Sequence, residues 1–366
     1  MRILVFCFST LGNIAMTIPV FRALFDAHPE LQISLVIPAK ARPLFKEFER
    51  LEAVPVFFNE RHQGWKGLYR LFKEFERLEA VPVFFNERHQ GWKGLYRLFK
   101  ELQDQNKYTA IADLQGDIRS VVLGGFFQLR GSGVERISRG RLEKKALTRS
   151  QKKIFKPLTH TVFRYATVFQ KLGLEVPVAD TPSPPKPAFN LKFTKWENPQ
   201  RKWIGIAPFV LELGKRYPLD QMQKVIAYLQ QKHTVFLFGG EAQEKQQCVV
   251  WAKAFSNVVV VEEELNFEEA LELIPYLDLM ISMDSAYGHF GANAQLPVVS
   301  IWGQTHPYNG SAPFGQSHKQ ALVPDRKQFP ELPVSIDGNR KGVDMAAIFK
   351  TIPPKAILEK ALEILG

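Results

Sequence analysis

Cysteine is almost missing from this chain. Cys7 and Cys248 are the only two in 366 residues, and they form no CxxC pair. That excludes a disulfide scaffold and a cysteine-rich zinc site, and it fits a reducing compartment. Long apolar runs are missing too: none approaches the roughly 18–20 residues that a membrane span needs. The opening Arg2-Ile3-Leu4-Val5-Phe6-Cys7-Phe8 is a short apolar run with no A-x-A site after it, so it reads as a buried first strand of a cytoplasmic protein rather than as a signal peptide. Acidic residues are in deficit, 37 against 48 Lys and Arg, which leaves a net charge of +11. An excess of that size implies an anionic partner such as nucleic acid, an anionic membrane surface or a phosphorylated substrate. Apolar residues make up 45% of the chain and charged residues 23%, enough to bury full cores, and the length suits two domains.

Strand-like runs alternate with amphipathic stretches of helical length. Ile3–Phe8 is followed by a helical pattern through Val20, Phe21, Leu24 and Phe25, and then by Ile33–Ile37. Such βαβα order predicts parallel sheets covered by helices. The run Thr181-Pro182-Ser183-Pro184-Pro185-Lys186-Pro187 breaks every period and reads as a linker. Beyond it come strands at Trp203–Ala207, Val235–Phe238, Leu279–Met283 and Val298–Trp302, with helices between them. The expected architecture is two doubly wound, Rossmann-like α/β domains, 1–180 and 201–366, joined through a proline-rich linker at 181–200. Within the first, Leu44–Glu74 recurs residue for residue as Leu71–Glu101, a tandem duplication of 27-residue units, 45–71 and 72–98. Each unit offers one strand (Val54–Phe58, Val81–Phe85) and one helix, and identical strands compete for a single slot in the sheet. A genetic duplication that the fold tolerates is the favoured reading; an enlarged acceptor-binding edge is the other.

Three turns and one charged stretch carry candidate chemistry. Ser9-Thr10-Leu11-Gly12-Asn13 lies where a first strand meets a first helix, and Gly12 lets a ligand approach the backbone. With a single glycine it is no G-x-G-x-x-G fingerprint and does not point to NAD. Gly214-Lys215-Arg216-Tyr217-Pro218 sets two cations beside a helix start, an arrangement suited to a diphosphate. Asp284-Ser285 then His289, followed by the Gly303-Gln304-Thr305 turn, offers an N-cap, a helix dipole and an imidazole toward an anion. No D-x-D or H-E-x-x-H pattern points to a metal ion. From Arg119 to Arg164 there are twelve Lys and Arg against two acids, Glu135 and Glu143. The stretch lacks the aromatic interleaving of an RNA-binding surface, which makes a nucleic-acid-binding protein the remote alternative.

These residues together resemble glycosyltransferase family 9, the lipopolysaccharide heptosyltransferases. The matching stretches are Arg2-Ile3-Leu4-Val5 with Ser9 to Gly12, Asp113-Leu114-Gln115-Gly116 with Arg119-Ser120, Gly214 to Pro218, Phe238-Gly239-Gly240, and Asp284-Ser285 with His289. Arg139-Gly140-Arg141 with Lys144 to Arg149, and Ser300 to Pro307, are similar to the Bacteroidetes-type branch. The resemblance implies a GT-B fold whose two domains face a central cleft, and an inverting, metal-independent transfer with no cofactor. The donor would be a nucleotide sugar, ADP-heptose, and the acceptor an anionic glycolipid or lipopolysaccharide core at the inner face of the cytoplasmic membrane, with peripheral contact there. It implies that Lys215 pairs the diphosphate and stabilises the leaving group. Gly12, Glu244, Asp284, Ser285 and His289 would join it in holding the donor, and Arg119, Arg139, Arg141, Lys144 and Lys145 would hold the acceptor's acidic groups. One departure stands out: the family's turn reads S-x-x-G-D, its aspartate acting as general base, whereas this chain has Asn13. An amide takes no proton, so the expectation is a slow enzyme, a substitute base with Asp117 as candidate (a residue that reads equally as the N-cap of the next helix), or a homologue that binds without turnover.

Overall fold

The computed structural model describes residues 1–48, 51–56, 91–179, 186–240 and 242–366. The chain divides into two α/β units, Met1–Arg139 with Val162–Thr181 and Gly140–Thr161 with Pro182–Gly366. In the first, β1 (Arg2–Phe6), β2 (Gln32–Pro38), β3 (Leu51–Val56), β4 (Ala110–Asp113) and β5 (Gly133–Arg136) form a parallel sheet in the order β3-β2-β1-β4-β5. Ile3 of β1 stands opposite Ile33 on one side and Ala110 on the other. Ile3, Leu4, Val5 and Phe6 are wholly buried, as a strand covered on both faces requires. Helices α1 (Leu11–Ala15) and α2 (Ile18–Ala27) follow β1, α3 (Gly91–Gln105) leads into β4, and α4 (Ile118–Gln128) links β4 to β5. The α2 helix starts with Pro19 in its first turn, where a missing N–H costs nothing, and buries Val20, Phe21, Leu24 and Phe25. The sheet order reverses between β1 and β4, so the turns after these two strands flank a topological switch point.

The duplication is used asymmetrically. Strand β3 comes from the first copy and helix α3 from the second, so the two copies contribute one βα element to the described fold. The other strand and helix candidates lie outside the described residues. Strand β3 is Leu51–Val56, shifted toward the N-terminus of the expected Val54–Phe58. Leu95, Leu98, Phe99 and Leu102 of α3 are buried against Leu4, Phe6 and Phe127. Deletion of residues 58–84 would join β3 to α3 through Phe57 and 85–90, a loop of seven residues, close to ordinary connection lengths. The deleted chain is expected to unfold as cooperatively as the parent with a Tm within about 5 °C, a shift worth about 1 kcal/mol. Calorimetry of the two proteins checks this, and loss of the cooperative transition would show that the second copy is structural.

The second unit begins with a strap, 140–161, that carries α5 (Arg141–Thr148), and the chain then returns to the first unit through α6 (Thr161–Lys171). Its sheet is β6 (Trp203–Ala207), β7 (Thr234–Leu237), β8 (Val258–Val260), β9 (Leu279–Met283), β10 (Val298–Ile301) and β11 (Ala321–Leu322), in the order β11-β10-β9-β6-β7-β8. All the pairings are parallel. Helices α7 (Leu219–Leu229), α8 (Ala242–Ala254), α9 (Val261–Glu264), α10 (Phe267–Leu273), α11 (Ala286–Asn293), α12 (Met345–Phe349) and α13 (Pro354–Leu365) complete it. The switch point here lies between β6 and β9.

Two expected boundaries move. The strap packs with the second unit because Leu158 N–H donates to Tyr308 O at 2.9 Å and Thr161 N–H to Gly310 O at 2.7 Å. Of the expected linker, 181–185 lie outside the described residues, while the rest packs on the second unit. There Phe193 lies 5.6 Å from Tyr276 and Trp196 5.3 Å from Phe236, ring centre to ring centre.

Candidate functional site

At the switch point of the second unit, the turn after β6 and the turn after β9 meet in an ion pair. Lys215 Nζ lies 3.0 Å from Asp284 Oδ2, with the two side chains only 14% and 8% exposed. Thr305 Oγ1, from the turn after β10, donates to the same oxygen at 3.0 Å. Asp284 is therefore not the helix cap that its position before a helix suggested. Ser285 is the N-cap residue of α11, but its side chain makes no cap hydrogen bond. Its hydroxyl pairs instead with Ser282 Oγ at 3.0 Å. The first turn of α11 thus has no side-chain cap hydrogen bond from Ser285, a half-buried ammonium beside it, and a dipole favouring negative charge. His289 lies one turn further in and is buried. Burial, with His160 and Lys215 nearby, pushes its pKa down to about 3, so at neutral pH it is an uncharged imidazole.

A second layer fixes the lysine, and sequence reasoning missed it. Gln304 N–H donates to Gly214 O at 2.8 Å, its side-chain amide donates to Arg340 O at 2.8 Å, and its Oε1 accepts the Arg340 N–H at 3.0 Å. This clamps the 335–340 loop over the Lys215 turn. Gly338, at φ +79°, lies so close that a β-carbon there would stand 2.5 Å from Lys215 Cγ, and one on Gly214 would stand 2.3 Å from Gly338 O. Only glycine fits at either place. The Asp337-Gly338-Asn339 turn chemistry was legible, yet nothing in the sequence tied it to Lys215. Glu262, likewise missed, accepts the Gly239 N–H at 3.0 Å and so links the ends of β8 and β7; burial raises its pKa. Glu244 sits in the first turn of α8, its Oε2 3.1 Å from where a β-carbon on Gly240 would be. That puts it at the rim of the sheet's carboxyl edge, one strand beyond β6.

The other candidates fall in the first unit or on the strap. Gly12 and Asn13 lie on α1, after β1, in the first unit, whereas the other donor candidates belong to the second. The Asn13 amide donates to Ser9 Oγ at 2.7 Å. Asp117 caps α4 in a reciprocal capping box with Ser120. One of its oxygens accepts the Arg119 and Ser120 N–H groups, each at 3.0 Å, and the other accepts the Arg119 guanidinium at 2.7 Å and the Gln115 amide at 3.2 Å. Burial works to raise its pKa, but the Arg119 guanidinium and the Ser120 N–H outweigh it and the net shift is downward. Its side chain thus serves as the cap of α4. Asp113, buried at the end of β4, organises the same turn by accepting from Gly116 N, Gln115 N and Ser120 Oγ at 2.8, 3.0 and 2.9 Å. The basic stretch is split between the units: Arg119 and Arg139 belong to the first, Arg141, Lys144 and Lys145 to the second. Among the described residues, no group of three or more His, Cys, Asp or Glu could hold a metal ion, and no helix is long and apolar enough to cross a membrane.

Comparison with known proteins bears on the family and the fold. Residues 95–334 match the profile of glycosyltransferase family 9 (heptosyltransferase). A 160-residue segment is 27% identical to lipopolysaccharide heptosyltransferase 3 of Escherichia coli K12, covering 40% of this chain and 45% of that protein. Among solved structures, a family 9 glycosyltransferase from Veillonella parvula superposes with a TM-score of 0.68 at 16% identity, over 100% of this chain and 97% of that one. E. coli heptosyltransferase WaaC with ADP gives 0.62 at 16% identity over the whole of both chains. E. coli ADP-heptose heptosyltransferase II gives 0.63 at 18% identity, over 100% of this chain and 98% of that one. At these identities the superpositions establish the fold, that of the GT-B heptosyltransferases.

Proposed function

The chain belongs to glycosyltransferase family 9, and on that premise we propose that it moves a heptose from ADP-heptose to a lipopolysaccharide-core or related anionic glycolipid acceptor at the inner face of the cytoplasmic membrane, with inversion and without a metal ion. The observation that carries the donor half is the Lys215–Asp284 pair beside the uncapped start of α11. A nucleoside diphosphate bound there would meet the Lys215 ammonium and the first-turn N–H groups. As the sugar C1–O bond breaks, negative charge grows on the departing diphosphate, and a fixed cation stabilises that state more than the ground state. Neutral His289 donates a hydrogen bond without adding charge, and Glu244 is assigned to the ribose. Gly12 is assigned to the donor as well, and Arg119 and Arg139 of the first unit with Arg141, Lys144 and Lys145 of the strap to the acceptor's acidic groups.

The acceptor hydroxyl must lose a proton as its oxygen bonds to C1. Asn13 cannot take it, and Asp117 is held as a helix cap. This chain is therefore proposed to bind its donor normally and to transfer slowly. Calorimetric titration with ADP-, UDP-, GDP- and CDP-sugars tests the reading. Micromolar binding of the ADP-sugar alone is expected; binding of another class would replace the donor assignment, and binding of none would overturn the function.

A further inference from the structure

Two successive carbonyl groups of the second unit each hold a cation. Leu332 O accepts from Arg326 Nε at 2.9 Å, and Pro333 O accepts from Lys153 Nζ at 2.6 Å. Adjacent residues are about 3.8 Å apart along a chain, so the two charged groups are close neighbours. Lys153, on the strap, also donates to Leu147 O at 3.1 Å. Arg326 also donates to Pro330 O at 3.3 Å and lies over the Phe155 ring, 3.4 Å from its centre. Arg340 is drawn to the same place through one glutamine: Gln304 O accepts the Val334 N–H at 3.0 Å, and Gln304 Oε1 accepts the Arg340 N–H at 3.0 Å. All three cations keep donors in reserve. An ammonium has three N–H and a guanidinium five, of which these bonds occupy two on Lys153 and two on Arg326. The exposed Arg340 guanidinium makes no hydrogen bond or ion pair among the described residues. The charge is not neutralised either. Burial and then the Arg326 charge push the Lys153 ammonium down to about 8; Glu331 opposes this, Arg340 adds to it, and the net shift stays downward. Burial and then Arg326 likewise push His306 down to about 4, so that ring adds no charge at neutral pH.

Three cations from three stretches of chain, each with donors unspent, suit one multivalent anion. A carboxylate brings two oxygens in one plane and a single charge. A phosphate group brings three oxygens around a tetrahedral centre and up to two charges, one oxygen for each cation. We propose that Lys153, Arg326 and Arg340 form a site for a phosphate group, separate from the Lys215 turn. The two are joined by the 335–340 loop, whose Gly338 packs on the Lys215 stem while Arg340 supplies its guanidinium here. A sugar-borne phosphate and the free ion present the same chemistry to these three residues. The inference does not depend on the donor reading, since none of the three is assigned to the donor.

The test is calorimetric titration of the full chain with inorganic phosphate, glucose 6-phosphate and acetate, beside ADP-sugar titration of the same proteins. Binding of the two phosphates without binding of acetate is expected. Arg340→Gln should weaken it about tenfold. That variant keeps the backbone bonds to Gln304 and removes a side chain that holds nothing in place, so it reads the site rather than the fold. Lys153→Gln should weaken phosphate binding at least as much, and Lys215→Ala should leave it unchanged. Arg340→Gln should keep the parent's ADP-sugar affinity, so that failure of this site and failure of the donor reading are told apart. Tighter binding of glucose 6-phosphate assigns the group to a sugar and tighter binding of the inorganic ion assigns it to solution; either supports the site. No phosphate binding, or equal affinity for acetate, would overturn the proposal. So would phosphate binding that is lost in Lys215→Ala and kept in Arg340→Gln, which would place the anion at the donor turn.

Discussion

Replacing Lys215 by alanine is expected to lower turnover by about 10²–10³, the usual loss when one preorganised donor to a developing charge is removed. Donor binding should weaken alongside. The lysine's side chain is only 14% exposed, so its charge is less screened than at an open surface, and Asp284 and Gly338 hold its ammonium and its stem. Removing it leaves the Asp284 carboxylate buried beside Thr305 with its cation gone, which turns an anion-binding turn into an anion-repelling one. Lys215→Arg should not restore the activity, because the stem is packed too tightly over Gly338 to admit a wider head. Single-turnover rates and calorimetry on the same preparations check both points. An alanine variant as active as the parent would remove Lys215 from the donor site.

Asn13→Asp is expected to act in the opposite sense and raise turnover by about 10²–10⁴, the range a general base contributes. Local geometry already suits the change. The Asn13 amide donates to Ser9 Oγ at 2.7 Å, and a carboxylate there would accept from that hydroxyl without moving the helix. The gain should appear in kcat and acquire a pH dependence absent from the parent, while the donor's KM stays unchanged. No gain would mean that the proton leaves by a route independent of this turn. A gain with altered donor KM would mean that the substitution acts through folding rather than through proton transfer.

How much of this could be read without coordinates differs by element. The strands β1, β2, β6, β9 and β10 were legible as short apolar runs, since a strand buried on both faces has no other composition to use. Lys215 was legible in the turn after β6, and Asp284, Ser285 and His289 in the turn and helix after β9; only the resemblance joined the two. Their roles were less so. Asp284 reads as a cap from its neighbours in the chain, yet its carboxylate is taken by a lysine 69 positions earlier in the sequence. Asp117 was legible both as a base beside the expected cleft and as a cap, and its side chain makes the capping box of α4.

The sequence by itself determined the two doubly wound sheets, the turns proposed to carry the donor chemistry and an amide at position 13, where the resemblance implies a carboxylate. These follow from periodicity, turn residues and residue identity, all local along the chain. Only the tertiary structure decided that the basic stretch is split, that the strap 140–161 packs on the second unit, that Gly338 and Gln304 clamp Lys215, and that one strand and one helix are drawn from different copies of the duplication. Each of those is a choice among partners far apart in sequence. Such choices are set by which surfaces fit together and which buried polar groups find a donor, and no local pattern records them.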